Sequence, residues 1–141
     1  MTDVIIDIKS TQQGIYDEDV IELSTCGKMA VRDGKYMLSY LENQAIKDEV
    51  VKNVINVADN KATMLRSGSV ESRLVIEQGK RNKCFYRIPQ GELVLGIFGK
   101  RVVNELSENG GFVKLDYTID VENDFLSSNT VEINVRRVEE N

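Results

Sequence analysis

Apolar and polar residues alternate with a period of two along nearly the whole chain. Val4, Ile6 and Ile8 alternate with Ile5, Asp7 and Lys9, and Ile21 and Leu23 open a second run. Such alternation predicts strands with one buried face. Tyr36, Leu38, Tyr40 and Glu42 share one face of a third strand, with Met37, Ser39 and Leu41 on the other. Further strands are predicted over 46–57, 61–67, 73–78, 84–88, 92–106, 113–121 and 131–135. Asp33-Gly34 is a hairpin signal, because both residues tolerate positive φ. Gln13-Gly14, Asp59-Asn60, Ser67-Gly68-Ser69, Gly79–Lys83, Pro89-Gln90-Gly91, Asn109-Gly110-Gly111 and Phe125–Asn129 are read as turns, and the end from Arg136 as a solvated tail. Ile46, Val50 and Val54 also fit a helical spacing, but the Val/Ile content and the neighbouring strands favour a strand.

No helix interrupts the series. A chain of sequential strands must deal with its open sheet edges, and closing the sheet removes them. The expected fold is therefore all-β: one domain over 1–141, a single closed antiparallel up-and-down barrel of eight to ten strands. A two-sheet sandwich is the alternative. In 92–106 the apolar parity switches from Leu93, Leu95 and Ile97 to Val102 and Leu106. One inserted residue flips all that follow, so a bulge is expected at Gly96 or Gly99. Gly27, inside the second strand, is likewise read as a bulge or bend.

The register around Asp59-Asn60 gives the inside of the barrel. A two-residue turn there places Val57 opposite Ala62, Ile55 opposite Met64 and Asn53 opposite Arg66. The face with Val51, Ile55, Val57, Ala62 and Met64 is the apolar one and should point inward, carrying Asn53 and Arg66 with it. A desolvated guanidinium needs a carboxylate. Glu42, on the Tyr36/Leu38 face, is the expected partner, and either Tyr40 or Glu42 should lie beside Asn53. Tyr86 and Tyr117 also fall on apolar faces; a turn between Ile88 and Gly91 would pair Tyr86 with Leu93 and Cys84 with Leu95. Two readings follow for Arg66 and Glu42: an internal ion pair that fixes register, or a clamp for the anionic head of a small apolar ligand.

Composition removes several chemistries. Histidine is absent, which excludes histidine-dependent nucleophilic catalysis and histidine-ligated zinc. The glycines precede no helix, so no phosphate loop is present. No enzyme activity, cofactor or metal is expected; a carboxylate enzyme using Glu42 with Tyr40 or Tyr117 is supported by proximity alone. A net charge of −5 argues against nucleic acid. The N-terminus lacks a signal-peptide pattern and no apolar run spans a bilayer, so a cytoplasmic protein without membrane contact is expected. Cys26 and Cys84 lack CxxC spacing and are read as buried free thiols.

Four passages in order carry a family resemblance. They are Tyr36-Met37-Leu38-Ser39-Tyr40-Leu41-Glu42, Met64-Leu65-Arg66-Ser67-Gly68, Tyr86-Arg87-Ile88-Pro89-Gln90-Gly91-Glu92-Leu93 and Gly110-Gly111-Phe112-Val113-Lys114-Leu115-Asp116-Tyr117. In sequence and spacing the chain resembles the YwiB-like family of uncharacterised bacterial proteins. It departs from that family in carrying Phe98-Gly99 where the family often places Thr after the Gly91 strand, and in being less Thr-rich around Tyr86. The resemblance implies a calycin-type, lipocalin-like barrel in a bacterial cytosol and no established activity. The leading expectation is ligand binding inside the barrel by Arg66, Glu42, Tyr40, Asn53, Tyr86 and Tyr117. The second is an interaction or structural domain working through its outer surface, for instance a homodimer through Val94 and Phe112.

Overall fold

The structure is a computed structural model and describes residues 1–44, 49–68, 71–88 and 90–138. Ten strands follow one another: β1 Thr2–Gln13, β2 Glu18–Arg32, β3 Lys35–Gln44, β4 Glu49–Val57, β5 Lys61–Ser67, β6 Glu71–Glu77, β7 Arg81–Ile88, β8 Gly91–Ser107, β9 Gly110–Val121 and β10 Asp124–Arg137. Each pairs antiparallel with its sequence neighbours, and β1 pairs with β10 to close the ring. This is the up-and-down barrel that the alternation predicts, not the sandwich. The predicted strand position Ile46, the turn residues Ser69 and Pro89, and the tail from Glu139 lie outside the described residues.

The inner faces meet in one core. Val4, Ile6, Leu38, Ile76, Ile97, Val113, Leu115 and Ile133 are all fully buried. Burying such side chains stabilises by roughly 2 kcal/mol each before conformational entropy is set against it. The Asp59-Asn60 hairpin has the expected register: the Ala58 N–H donates to the Lys61 carbonyl at 2.8 Å, and Val57, Ile55 and Asn53 face Ala62, Met64 and Arg66. Tyr86 pairs with Leu93 and Cys84 with Leu95, as the turn before Gly91 requires.

The parity switch in β8 is a bulge between Gly99 and Arg101. Ile97 and Val102 therefore both point inward. Gly99 is needed there because its Cα packs directly on the Glu77 backbone, with no room for a side chain. Its carbonyl accepts from Gly79 N–H at 2.8 Å and its N–H donates to Lys80 at 3.1 Å, so the β6–β7 turn is tied to the bulge.

Several readings are corrected. Gly27 is no bulge: β2 keeps register with β1 on both sides of it, and its pairing with β3 begins there, opposite Tyr40. A Cβ there would press on Ser39 and Ile6, so it is close strand approach that requires glycine. Phe125–Asn129 is not a turn but the start of β10, with a register shift between Phe125 and Ser127. Its Ser127 and Asn129 point into the core, which hid the alternation. Arg81 to Lys83, read as turn, open β7, and Arg136 and Arg137 end β10 rather than forming a tail. Cys84 is buried but Cys26 is exposed. Cys26 pairs with Ile5, whose neighbours Val4 and Ile6 take the inner face, so the thiol points outward. Val94 is exposed as expected, whereas Phe112 is half-buried.

Candidate functional site

One polar row crosses the inner face of five strands. Tyr40 of β3 lies opposite Asn53 of β4, Asn53 opposite Arg66 of β5, Arg66 opposite Ser72 of β6, and Ser72 opposite Tyr86 of β7. Asn53 and Ser72 are buried. It is thus Tyr40, and not Glu42, that sits directly beside Asn53. Glu42 stands two residues further along β3, on the same face. Its carboxylate bends back to the row: Oε2 accepts from Arg66 Nη2 at 3.1 Å and from Asn53 Nδ2 at 3.4 Å. The expected ion pair is present. Both partners keep about a third of their side-chain surface in contact with solvent, so they sit at the barrel mouth and not in its middle.

This row borders a cavity of about 250 Å³. Ser10, Tyr40, Glu42, Asn53, Arg66, Ser72 and Tyr117 supply its polar groups. Ile8, Leu23, Ile55, Met64, Leu74 and Val131 supply apolar walls. Tyr86 shares the inner row but does not line the cavity. The tyrosines are electrostatically distinct from solvated phenols. Burial, and secondarily the Glu42 charge, raises the Tyr40 pKa. Burial alone pushes Tyr117 up to about 12. Both therefore present neutral hydroxyls, able to donate or accept a hydrogen bond at neutral pH.

Arg66 is incompletely matched. Its Nε–H is buried and has no hydrogen-bond partner, while Glu42 takes a single Nη2 donor. A guanidinium has five donors in a planar fork that fits a carboxylate or phosphate. No group of three or more acidic or cysteine side chains forms a metal site among the described residues.

Four polar groups of the interior were not read from the sequence: Ser10 and Ser72, which line the cavity, and Ser127 and Asn129 near the start of β10. Asn129 Nδ2 donates to Ser127 Oγ at 3.0 Å, one satisfied pair within the core. Extending the Val131–Ile133 parity backwards would have found both. A larger groove of about 760 Å³ lies elsewhere, by the β2–β3 and β4–β5 turns. Much of its lining, from Ala30, Met37, Asn56 and Thr63, belongs to one outward-facing row across β2 to β5. It holds no buried polar side chain, so the mouth cavity is the better candidate for specific binding.

Comparison with known proteins gives a consistent picture. The chain is 28% identical over 120 residues to the uncharacterized beta-barrel protein YwiB of Bacillus subtilis (strain 168), covering 85% of this chain and 83% of that protein. The crystal structure of the ywiB protein from Bacillus subtilis matches with a TM-score of 0.86 at 25% identity, over 98% of this chain and 93% of that one. A family profile described as a domain of unknown function (DUF1934) matches residues 6–133. Sequence, fold and barrel closure agree, and the chain belongs to the DUF1934 family.

Proposed function

We propose that the protein is a non-enzymatic barrel that holds a small, partly apolar ligand with an anionic head in the mouth cavity, in the manner of lipocalin-like barrels. The observation that carries this reading is the unpartnered, buried Arg66 Nε–H beside a cavity with apolar walls. Leaving a buried donor unmade costs free energy that an incoming acceptor recovers. At about 250 Å³ the cavity is smaller than most drug-sized sites, so the ligand is a short one. Its head would take the free side of the Arg66 fork while Tyr40 and Asn53 hold its other oxygen, and its tail would lie against Leu23 and Met64. The two free thiols suit a cytoplasmic setting, where reducing conditions keep such cysteines unpaired.

The test is native mass spectrometry of freshly purified protein, followed by calorimetric titration with a series of short-chain carboxylates. The reading expects a retained or titratable ligand whose affinity drops at least about tenfold in Arg66→Met, the loss of one charge-assisted contact. Absence of any bound or titratable carboxylate overturns it. So does unchanged affinity in Arg66→Met, which would leave Arg66 and Glu42 as a register-fixing ion pair.

A further inference from the structure

The barrel ring is closed, yet the seam between β2 and β3 is only half zipped. The two strands pair from Gly27 opposite Tyr40 to Arg32 opposite Lys35, and no further towards the mouth. β2 nevertheless continues from Glu18 to Cys26, paired over that whole length with β1 alone. In an antiparallel ribbon, alternate residues direct their N–H and C=O groups to each side. Along Glu18–Cys26 the side away from β1 therefore has no strand partner among the described residues. An edge of this length is a template for another strand unless it is blocked. Proline, lysine and a bulge are missing from it, and the charges it does carry, Glu18, Asp19 and Glu22, are all acidic and so repel acidic strands but not basic ones.

We infer that this free edge of β2 is a docking site for an extended, basic segment of another polypeptide, bound by β-strand addition. Charge selects the partner. Asp17, Glu18, Asp19 and Glu22 are exposed along the edge, and from Ser10 to Gly27 the chain has no cation. Side-chain alternation completes the selection. Val20 and Ile21 are exposed on the two faces of the edge, at 50% and 67%. Ile21 and Leu23 lie on the inner face of the edge while Glu18 and Glu22 flank Val20 on the outer one, so an added strand should alternate aliphatic and basic residues. A second copy of this chain fits poorly. It brings Asp17, Glu18, Asp19 and Glu22 of its own and no cation from Ser10 to Gly27, so it gathers acids along the edge where a basic strand would offset them.

The probe is a nine-residue peptide alternating valine and lysine, the length of the free edge, with a valine–glutamate peptide as control. Amide hydrogen exchange of the full chain reads the outcome. Alternate amides within 18–26 should exchange fast in the free protein and slow by about tenfold or more with the lysine peptide. The glutamate peptide should give no protection. Glu22→Lys, an exposed substitution, should weaken the lysine peptide by about fivefold or more without lowering the melting temperature. Protection by both peptides alike, or by neither, overturns the proposal. So does protection of 18–26 in the free protein that grows with its concentration, which would assign the edge to a second copy. Ile21 and Leu23 of the edge also border the mouth cavity, so exchange is read with no carboxylate present, and peptide protection then stands or falls apart from carboxylate binding.

Discussion

Arg81 grips Asp120 from two strands away. Its Nε and Nη2 donate to Oδ2 and Oδ1 at 3.0 and 2.6 Å, although β8 runs between their strands. The bridge crosses at Gly96, where a Cβ would collide with the guanidinium and both carboxylate oxygens. The hydrogen bonds from Arg81, helped by the Asn123 N–H, hold the Asp120 carboxyl below its ordinary 3.8. A folded-state pKa below the unfolded one gives stabilisation that is present above pH 3.8 and lost as pH falls through the folded value. Asp120→Asn should therefore flatten the acid limb of a plot of melting temperature against pH. Gly96→Ala should do the same by wedging the pair apart.

The β8 bulge should be intolerant of any side chain. At Gly99 the obstruction is the Glu77 backbone, which cannot rotate away as the end of a side chain can. Gly99→Ala should cost about 3 kcal/mol in urea unfolding, the upper part of the range for overpacking. Gln78 supports the same feature from the other side: its Oε1 accepts from the Val102 N–H at 3.0 Å. Gln78→Ala should cost about 1 kcal/mol, the worth of one hydrogen bond.

Tyr117 makes an alkaline prediction. Burial raises its pKa from 10.0 to about 12. The unfolded chain then ionises first, so stability is complete below pH 10 and declines as pH rises towards 12. A shift of this size corresponds to a loss of about 3 kcal/mol. Spectrophotometric titration should show a late phenol ionisation near pH 12. Tyr117→Phe should remove that late step and the alkaline decline linked to it.

The two thiols should separate in reactivity. Cys26 is exposed on the outer face, whereas Cys84 is buried, its pKa is raised by burial, and its Sγ accepts the Val75 N–H at 3.3 Å. An aromatic disulfide reagent should titrate Cys26 at once and Cys84 only after unfolding. Cys26→Ser should abolish the fast phase alone.

Much of the fold and part of the site were legible because both obey a strict period. A single two-residue turn at Asp59-Asn60 was enough to place Asn53 opposite Arg66 and both on the inner face. The bulge in β8 was legible as a change of parity, though only the structure chose Gly99 over Gly96. What stayed hidden was polar content that imitates a turn. Ser127 and Asn129 look like loop residues, yet they satisfy each other inside the barrel. Arg81 and Lys83 look like a charged turn, yet they stand on the outer face of β7, where cations are solvated or paired. Local composition cannot distinguish these cases; the alternation of the flanking residues can.

The join between β1 and β10 has a consequence for how the molecule is made. Val4 lies opposite Arg137 and Gln13 opposite Ser128, so the ring is completed by the two strands furthest apart along the chain. A ribosome delivers nine strands before the tenth exists. Until then the sheet has two raw margins, β1 on one side and β9 on the other, each with an apolar inner face. Closure of the ring is thus a race between the arrival of β10 and intermolecular pairing of those margins, which makes the final strand the chain's protection against aggregation during synthesis.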